Sequence, residues 1–206
     1  MQILGLTGSI GMGKSTIAGM LRARGVPVFD ADAEVHRLYA AEAVPLVEAA
    51  FPGTTAEGRV DRPRLAAALG EDAVRFRALE AIVHPLVRKA EQAFLAHARE
   101  DGAACAVLEI PLLLETGLDA AVDAVVVVSA PAEVQRERVL ARPGMTVARL
   151  DALLARQLPD AEKRKRADFV VDTGGTLADS EAQVDAILSA LKDCPADAFE
   201  RDWRAP

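Results

Sequence analysis

Apolar positions along this chain come in short blocks whose period keeps switching. Residues 2–7 are a compact apolar run that ends in a glycine-rich turn. Residues 14–24 take helical spacing, with Ile17, Met20 and Leu21 on one face and Gly25 as a stop signal. Residues 26–29 predict a second short strand, followed by Asp30. Residues 33–50 are alanine-rich and predict one helix, broken by Pro52-Gly53. Residues 64–69 and 72–99 resume helix, with a break expected at His84-Pro85. Residues 105–110 and 124–129 predict strands, and the second contains an unbroken Val125–Val128 run. Such β-branched continuity suits a strand covered on both faces, as in a parallel sheet. Pro131 opens a helix at a favourable first position. Residues 167–172 form a fifth strand, and residues 179–191 a last helix with Val184, Ile187, Leu188 and Leu191 on one face.

This alternation predicts an α/β fold with a mainly parallel, five-stranded sheet between helical layers. Two stretches interrupt it. Residues 33–100 are almost wholly helical, and residues 131–166 are helical and basic. The reading is a core of 1–32, 101–130 and 167–192, a helical insertion at 33–100, and a basic helical lid at 131–166. A polar tail, 193–206, holds the only Trp, Trp203, and is expected to be poorly ordered.

The 206 residues are 51% hydrophobic and carry a net charge of -7, which excludes a disordered chain and argues against a protein that coats nucleic acid. Residues 133–166 nevertheless hold nine Lys or Arg and five Asp or Glu, a local +4 against -11 for the remainder. Positive charge is thus concentrated where polyanionic ligands can meet it. No apolar run reaches the ~20 residues of a membrane span, and no secretory signal is visible. Cys105 and Cys194 are too far apart in sequence to suggest a disulfide framework or metal site, and a reducing cytoplasmic compartment is expected.

Gly8-Ser9-Ile10-Gly11-Met12-Gly13-Lys14-Ser15 fits G-x-x-x-x-G-K-[ST] between a predicted strand and a predicted helix, the context of a P-loop. Gly8, Gly11 and Gly13 let the backbone curl so that its N–H groups face phosphate oxygens, Met12 and Thr16 contribute backbone, and Lys14 reaches the terminal phosphates. The Ser15 hydroxyl suits Mg²⁺. A nucleoside triphosphate with Mg²⁺ is the expected ligand, and the sheet is expected to be that of a P-loop NTPase. No Asn-Lys-x-Asp segment marks a GTPase.

A small-molecule kinase also needs a carboxylate beside its acceptor hydroxyl and arginines over the phosphates. Asp30-Ala31-Asp32 lies at a strand's carboxyl end, where such sheets bind ligands. We assign Asp32 to catalysis and Asp30 to helix capping. Arg138 and Arg142, four apart, are candidates for one clamping helix face, or for a solvated face shared with Glu133 and Glu137. These residues leave open a kinase of another small acceptor, such as a nucleoside monophosphate or a shikimate-like alcohol, or a nucleotide-dependent regulatory module.

The ordered set Leu6–Thr16, Val28–Asp32, Arg62 with Leu65, Leu79-Glu80, His84-Pro85, Pro111–Leu113 with Glu115, Val122-Asp123, Gln135, Arg138, Arg142, Gln157 and Ala167-Asp168 resembles the dephospho-CoA kinase family. The resemblance implies transfer of the γ-phosphoryl of ATP to the 3′-hydroxyl of dephospho-CoA, the last step of coenzyme A biosynthesis. It implies that 33–100 binds the CoA moiety, with Arg62, His84 and Leu112 at the substrate. Asp32 is then the base, and Arg142 or Arg138 the lid arginine. Met12 stands where many members carry Ser, a change expected to be indifferent in a backbone cradle. Asp172-Thr173-Gly174-Gly175 departs from the family's closing turn.

Overall fold

The computed structural model describes residues 1–191 and 194–204. They divide into two compact units, Met1–Phe29 with Leu95–Pro206, and Asp30–Phe94. The helical unit begins at Asp30, the last residue of a sheet strand, so Asp32 falls within that unit although the expected core ran to residue 32. Residues 131–166 fall within the first unit and form no unit of their own.

In the first unit β1 (Gln2–Thr7) leads through the glycine loop to α1 (Lys14–Ala23), and β2 (Val28–Asp30) follows. After the helical unit come β5 (Cys105–Glu109), β6 (Ala124–Ser129), α6 (Ala132–Leu140), α7 (Val147–Leu154), α8 (Asp160–Lys165), β7 (Phe169–Asp172) and α9 (Leu177–Ala190). The five strands lie in the order β2-β5-β1-β6-β7, and β1 pairs in parallel with both β5 and β6. The chain leaves β1 towards one edge and returns to the other, so β1's carboxyl end is a switch point that opens a ligand crevice. β1, β5 and β6 are buried almost throughout. Their apolar runs follow from that two-sided cover. Ile17, Ala18 and Leu21 of α1 join Leu4, Leu6, Val107, Val126, Val128, Val171, Val184 and Ile187 in one cluster. Each large aliphatic side chain buried there contributes roughly 1.5–3 kcal/mol.

The second unit contains α2 (Ala31–Leu38), α3 (Ala43–Ala50), β3 (Thr55–Ala56), β4 (Arg59–Val60), α4 (Arg62–Leu69) and most of α5 (Ala73–Glu100). The single helix expected over 33–50 is two. The backbone turns at Tyr39, whose carbonyl accepts the Val60 N–H at 2.7 Å and anchors the small hairpin. That hairpin was not expected: consecutive positive φ values at Glu57 (51°) and Gly58 (74°) make its tight turn. The break expected at His84-Pro85 does not occur, and Pro85 lies inside α5. An interior proline costs ~3 kcal/mol, but the flanking Leu79, Ile82, Leu86 and Val87 all pack on the Leu38–Val47–Phe51–Leu65 cluster. Tertiary burial outweighs the local defect.

The tail also departs from expectation. Asp123 Oδ1 accepts the N–H groups of Asp197 and Ala198, at 2.9 and 2.8 Å. Trp203 is buried and donates Nε1–H to the Ala121 carbonyl at 2.6 Å. Phe199 lies 4.5 Å from the Arg99 guanidinium. Among its polar neighbours, the indole and phenyl rings supply the apolar area that docks residues 194–204. Positions 192, 193, 205 and 206 of the expected core and tail lie outside the described residues. Among the described residues no helix is long and apolar enough to cross a membrane.

Candidate active site

The glycine loop sits at the carboxyl end of β1. Gly8, Gly11 and Gly13 have φ of 151°, 78° and 90°. A Cβ on Gly8 would stand 2.4 Å from the Val128 carbonyl oxygen, and one on Gly11 2.5 Å from Val139 Cγ2. Glycine is thus demanded by both conformation and space. Gly13 occupies the N-cap of α1 and brings no side-chain cap. The Thr16 N–H turns back to the Gly13 carbonyl at 3.0 Å, and no side-chain cap competes with an anion at this positive end of the helix. Lys14 Nζ donates to the Gly8 carbonyl at 3.0 Å, folded across the loop. Ser15 and Thr16 are exposed on the first turn.

Other parts of the first unit hold this loop from behind. Gln135 Nε2 donates to the Ile10 carbonyl at 2.8 Å, and the Ile10 N–H donates to Gln157 Oε1 at 3.2 Å. Thr173 Oγ1 donates to the Met12 carbonyl at 2.8 Å, and Arg138 donates to Thr173 Oγ1 and its carbonyl at 2.9 and 2.7 Å. Met12 is not indifferent. Its side chain is buried, its Sδ accepts the Ala130 N–H at 3.1 Å, and its own N–H donates to the Ser9 carbonyl. Met12 therefore packs and ties the loop.

Arg142 does not continue the face of Arg138. α6 ends at Leu140, because Pro143-Gly144 follow, and the exposed Arg142 lies in the turn beyond it. Leu112, 39% exposed, lies in the turn after β5, where its carbonyl accepts from Thr116. In the second unit, Asp30 caps α2 by accepting the Ala33 N–H at 2.9 Å. Asp32 is exposed in the first turn of the same helix. Arg62 lies over the Tyr39 ring at 5.6 Å, and burial raises the Tyr39 hydroxyl above its ordinary range while Arg62 opposes that shift. His84 is exposed on α5. The structure therefore collects Lys14, Ser15, Arg138, Arg142 and Leu112 in one unit and Asp32, Arg62 and His84 in the other.

Thr173 and Glu115, named in the sequence without a role, and Lys163, which was not named, make buried polar contacts behind the loop's supports. Lys163 is fully buried and its Nζ lies 2.8 Å from Glu115 Oε1, which also accepts the Leu158 N–H at 2.9 Å. Burial alone would raise the Glu115 carboxyl. The Lys163 hydrogen bond and the Leu158 N–H outweigh it and hold the group below the usual carboxylate range. A depressed folded-state value contributes stability that is complete above the ordinary carboxylate range, and that is lost as pH falls through the folded value. Glu115→Gln is therefore expected to cost about 3 kcal/mol at neutral pH, because it strands a buried ammonium. Urea unfolding of both proteins at stepped pH checks this: the gap should narrow as pH falls below the ordinary carboxylate range, and a pH-independent gap contradicts it.

A family model described as dephospho-CoA kinase matches residues 2–179. A dephospho-CoA kinase of Rhodopseudomonas palustris is 60% identical over 95% of this chain and 98% of its own length. One from Mesorhizobium japonicum is also 60% identical, over 93% and 98%. Among solved structures, a Thermus thermophilus protein superposes with a TM-score of 0.82 at 39% identity, covering 92% of this chain and 97% of its own. With nearly the whole chain matched, and the glycine loop, its lysine and its serine all in place at the switch point, the protein belongs to the dephospho-CoA kinase family.

Proposed function

We propose that this protein transfers the γ-phosphoryl group of ATP to the 3′-hydroxyl of dephospho-CoA, giving CoA and ADP. The observation that carries the reading is the uncapped α1 N-terminus behind three glycines of positive φ, in a chain matched nearly end to end by that family. Backbone N–H groups within the 11–16 stretch that the loop does not itself use receive the phosphates, and Lys14 exchanges the Gly8 carbonyl for phosphate oxygens. Asp32 accepts the proton of the 3′-hydroxyl as that oxygen attacks the γ-phosphorus and the bond to the ADP oxygen breaks. Arg142, exposed in its turn, neutralises charge on the moving group, while Arg138 serves the loop through Thr173. Arg62, His84 and Leu112 contact the acceptor.

Mg²⁺ fits the residues present. The exposed Ser15 hydroxyl beside Lys14 offers one oxygen, and no cluster of three or more His, Cys, Asp or Glu side chains among the described residues builds a separate metal cage. Such an ion, held mainly by ATP oxygens and water, would screen the charge of the β- and γ-phosphates. Magnesium, the acceptor and a cytoplasmic location belong to this proposal.

The deciding assay follows ADP release from Mg·ATP with dephospho-CoA, with AMP, shikimate and no acceptor as controls. Turnover only with dephospho-CoA is expected. Turnover with another acceptor alone, or without any, contradicts the proposal. Lys14→Ala is expected to lower kcat by roughly 10²–10³ and to weaken ATP binding. Unchanged rate and affinity would remove Lys14 from the site.

A further inference from the structure

One residue of the phosphate loop is gripped on both of its backbone groups. Ile10 lies between Gly8 and Gly11, in a segment that glycines make costly to order. Its carbonyl is taken by Gln135 and its N–H by Gln157. A loop already held in its binding shape does not charge that ordering cost to the ligand.

The two glutamines are themselves placed differently. Gln135 is buried on α6, whose helix fixes it. Gln157 stands in the non-helical link between α7 and α8 and needs an anchor. The next residue, Leu158, provides one by donating its N–H to Glu115 Oε1, the oxygen that also meets buried Lys163 of α8. α8 is in turn docked at both ends. Ser129 Oγ donates to Asp160 Oδ2 at 2.7 Å, and Arg166 reaches Asp119 at 2.6 Å and the Leu114 carbonyl at 3.2 Å.

We propose that Gln157 is a positioning residue for the phosphate loop, and that the buried Glu115–Lys163 pair acts through it to set nucleotide affinity. The proposal rests on the reading that this loop holds ATP.

The test measures amide hydrogen exchange at Ile10 by NMR and ADP affinity by calorimetry, on the full chain. Loss of one hydrogen bond in Gln157→Leu should speed Ile10 exchange about fivefold and weaken ADP about fivefold. KM for ATP should rise while KM for the acceptor holds. Gln157→Glu keeps the acceptor oxygen and should restore Ile10 protection. Lys163→Met should speed Ile10 exchange with α9 amides still protected, and unchanged exchange there would remove the pair from the clamp; if that variant fails to fold, the double variant Glu115→Met with Lys163→Met, which strands no charge, carries the same readout. Unchanged Ile10 exchange and ADP affinity in Gln157→Leu would overturn the clamp. A wild-type protein that binds no ADP would instead overturn the nucleotide reading beneath it, while Ile10 exchange would still report on the clamp.

Discussion

Asp32→Asn is expected to lower kcat by about 10²–10⁴-fold while leaving ATP affinity unchanged. The two acids at the start of α2 are already divided by their hydrogen bonds. Asp30 spends an oxygen on the Ala33 N–H, where the helix needs a cap, and Asp32 is exposed one residue inside the helix. Asparagine at 32 keeps the size and the helix but cannot take a proton from an attacking hydroxyl. Asp30→Asn is the control, because asparagine caps helices about as well as aspartate. Steady-state kinetics with dephospho-CoA and calorimetric titration with ATP check the split. Equal turnover in Asp32→Asn and wild type would remove it from the chemistry. A comparable collapse in Asp30→Asn would reverse the assignment.

Gly8→Ala should destabilise the protein by about 3–5 kcal/mol, enough to remove much of a typical domain's stability. Two costs add. An L-residue at φ 151° leaves the populated backbone regions, at about 1–3 kcal/mol. The new methyl would also meet the Val128 carbonyl oxygen at 2.4 Å, a contact with backbone in a buried strand that no rotamer change relieves, at about 1–3 kcal/mol. Gly19 is the counter-example. It lies inside α1 with open space around its Cβ position and no positive φ, so Gly19→Ala should stabilise by about 1 kcal/mol. Denaturant unfolding of the two variants should move in opposite directions. A Gly8→Ala protein as stable as wild type would mean that β1 and β6 can part at no cost.

Much of the core was legible from local pattern, because strands buried on both faces must be apolar throughout and a P-loop must place its glycines at set positions. Val125–Val128 announced a central strand, and β6 is buried at every residue. Gly8, Gly11 and Gly13 announced a loop that needs freedom from Cβ, and each has positive φ. The helical unit was less legible. Pro85 reads locally as a break, yet packing of its neighbours carries the helix through it. Glu57 carries no hairpin signal, and the pairing of Thr55 with Val60 needed the folded unit around it. The polar composition of the tail hid how much area Trp203 and Phe199 bury.

The site divides the same way. By itself the sequence determined the family, and it placed the glycine loop, its lysine and the two acids at the β2–α2 junction, since these depend on residue types at short, ordered spacing. Only the tertiary structure decided what holds them. Lys163, Arg164, Lys165 and Arg166 are consecutive in the basic stretch, but successive residues on a helix point about 100° apart. The face of α8 that meets Glu115 makes Lys163 alone of the four fully buried. Likewise nothing in its spacing shows that Arg138 meets Thr173, 35 residues along the chain. Spacing along a chain dictates which backbone a residue can adopt; which charge meets which, and behind which wall, depends on contacts that exist only after the sheet has brought distant segments together.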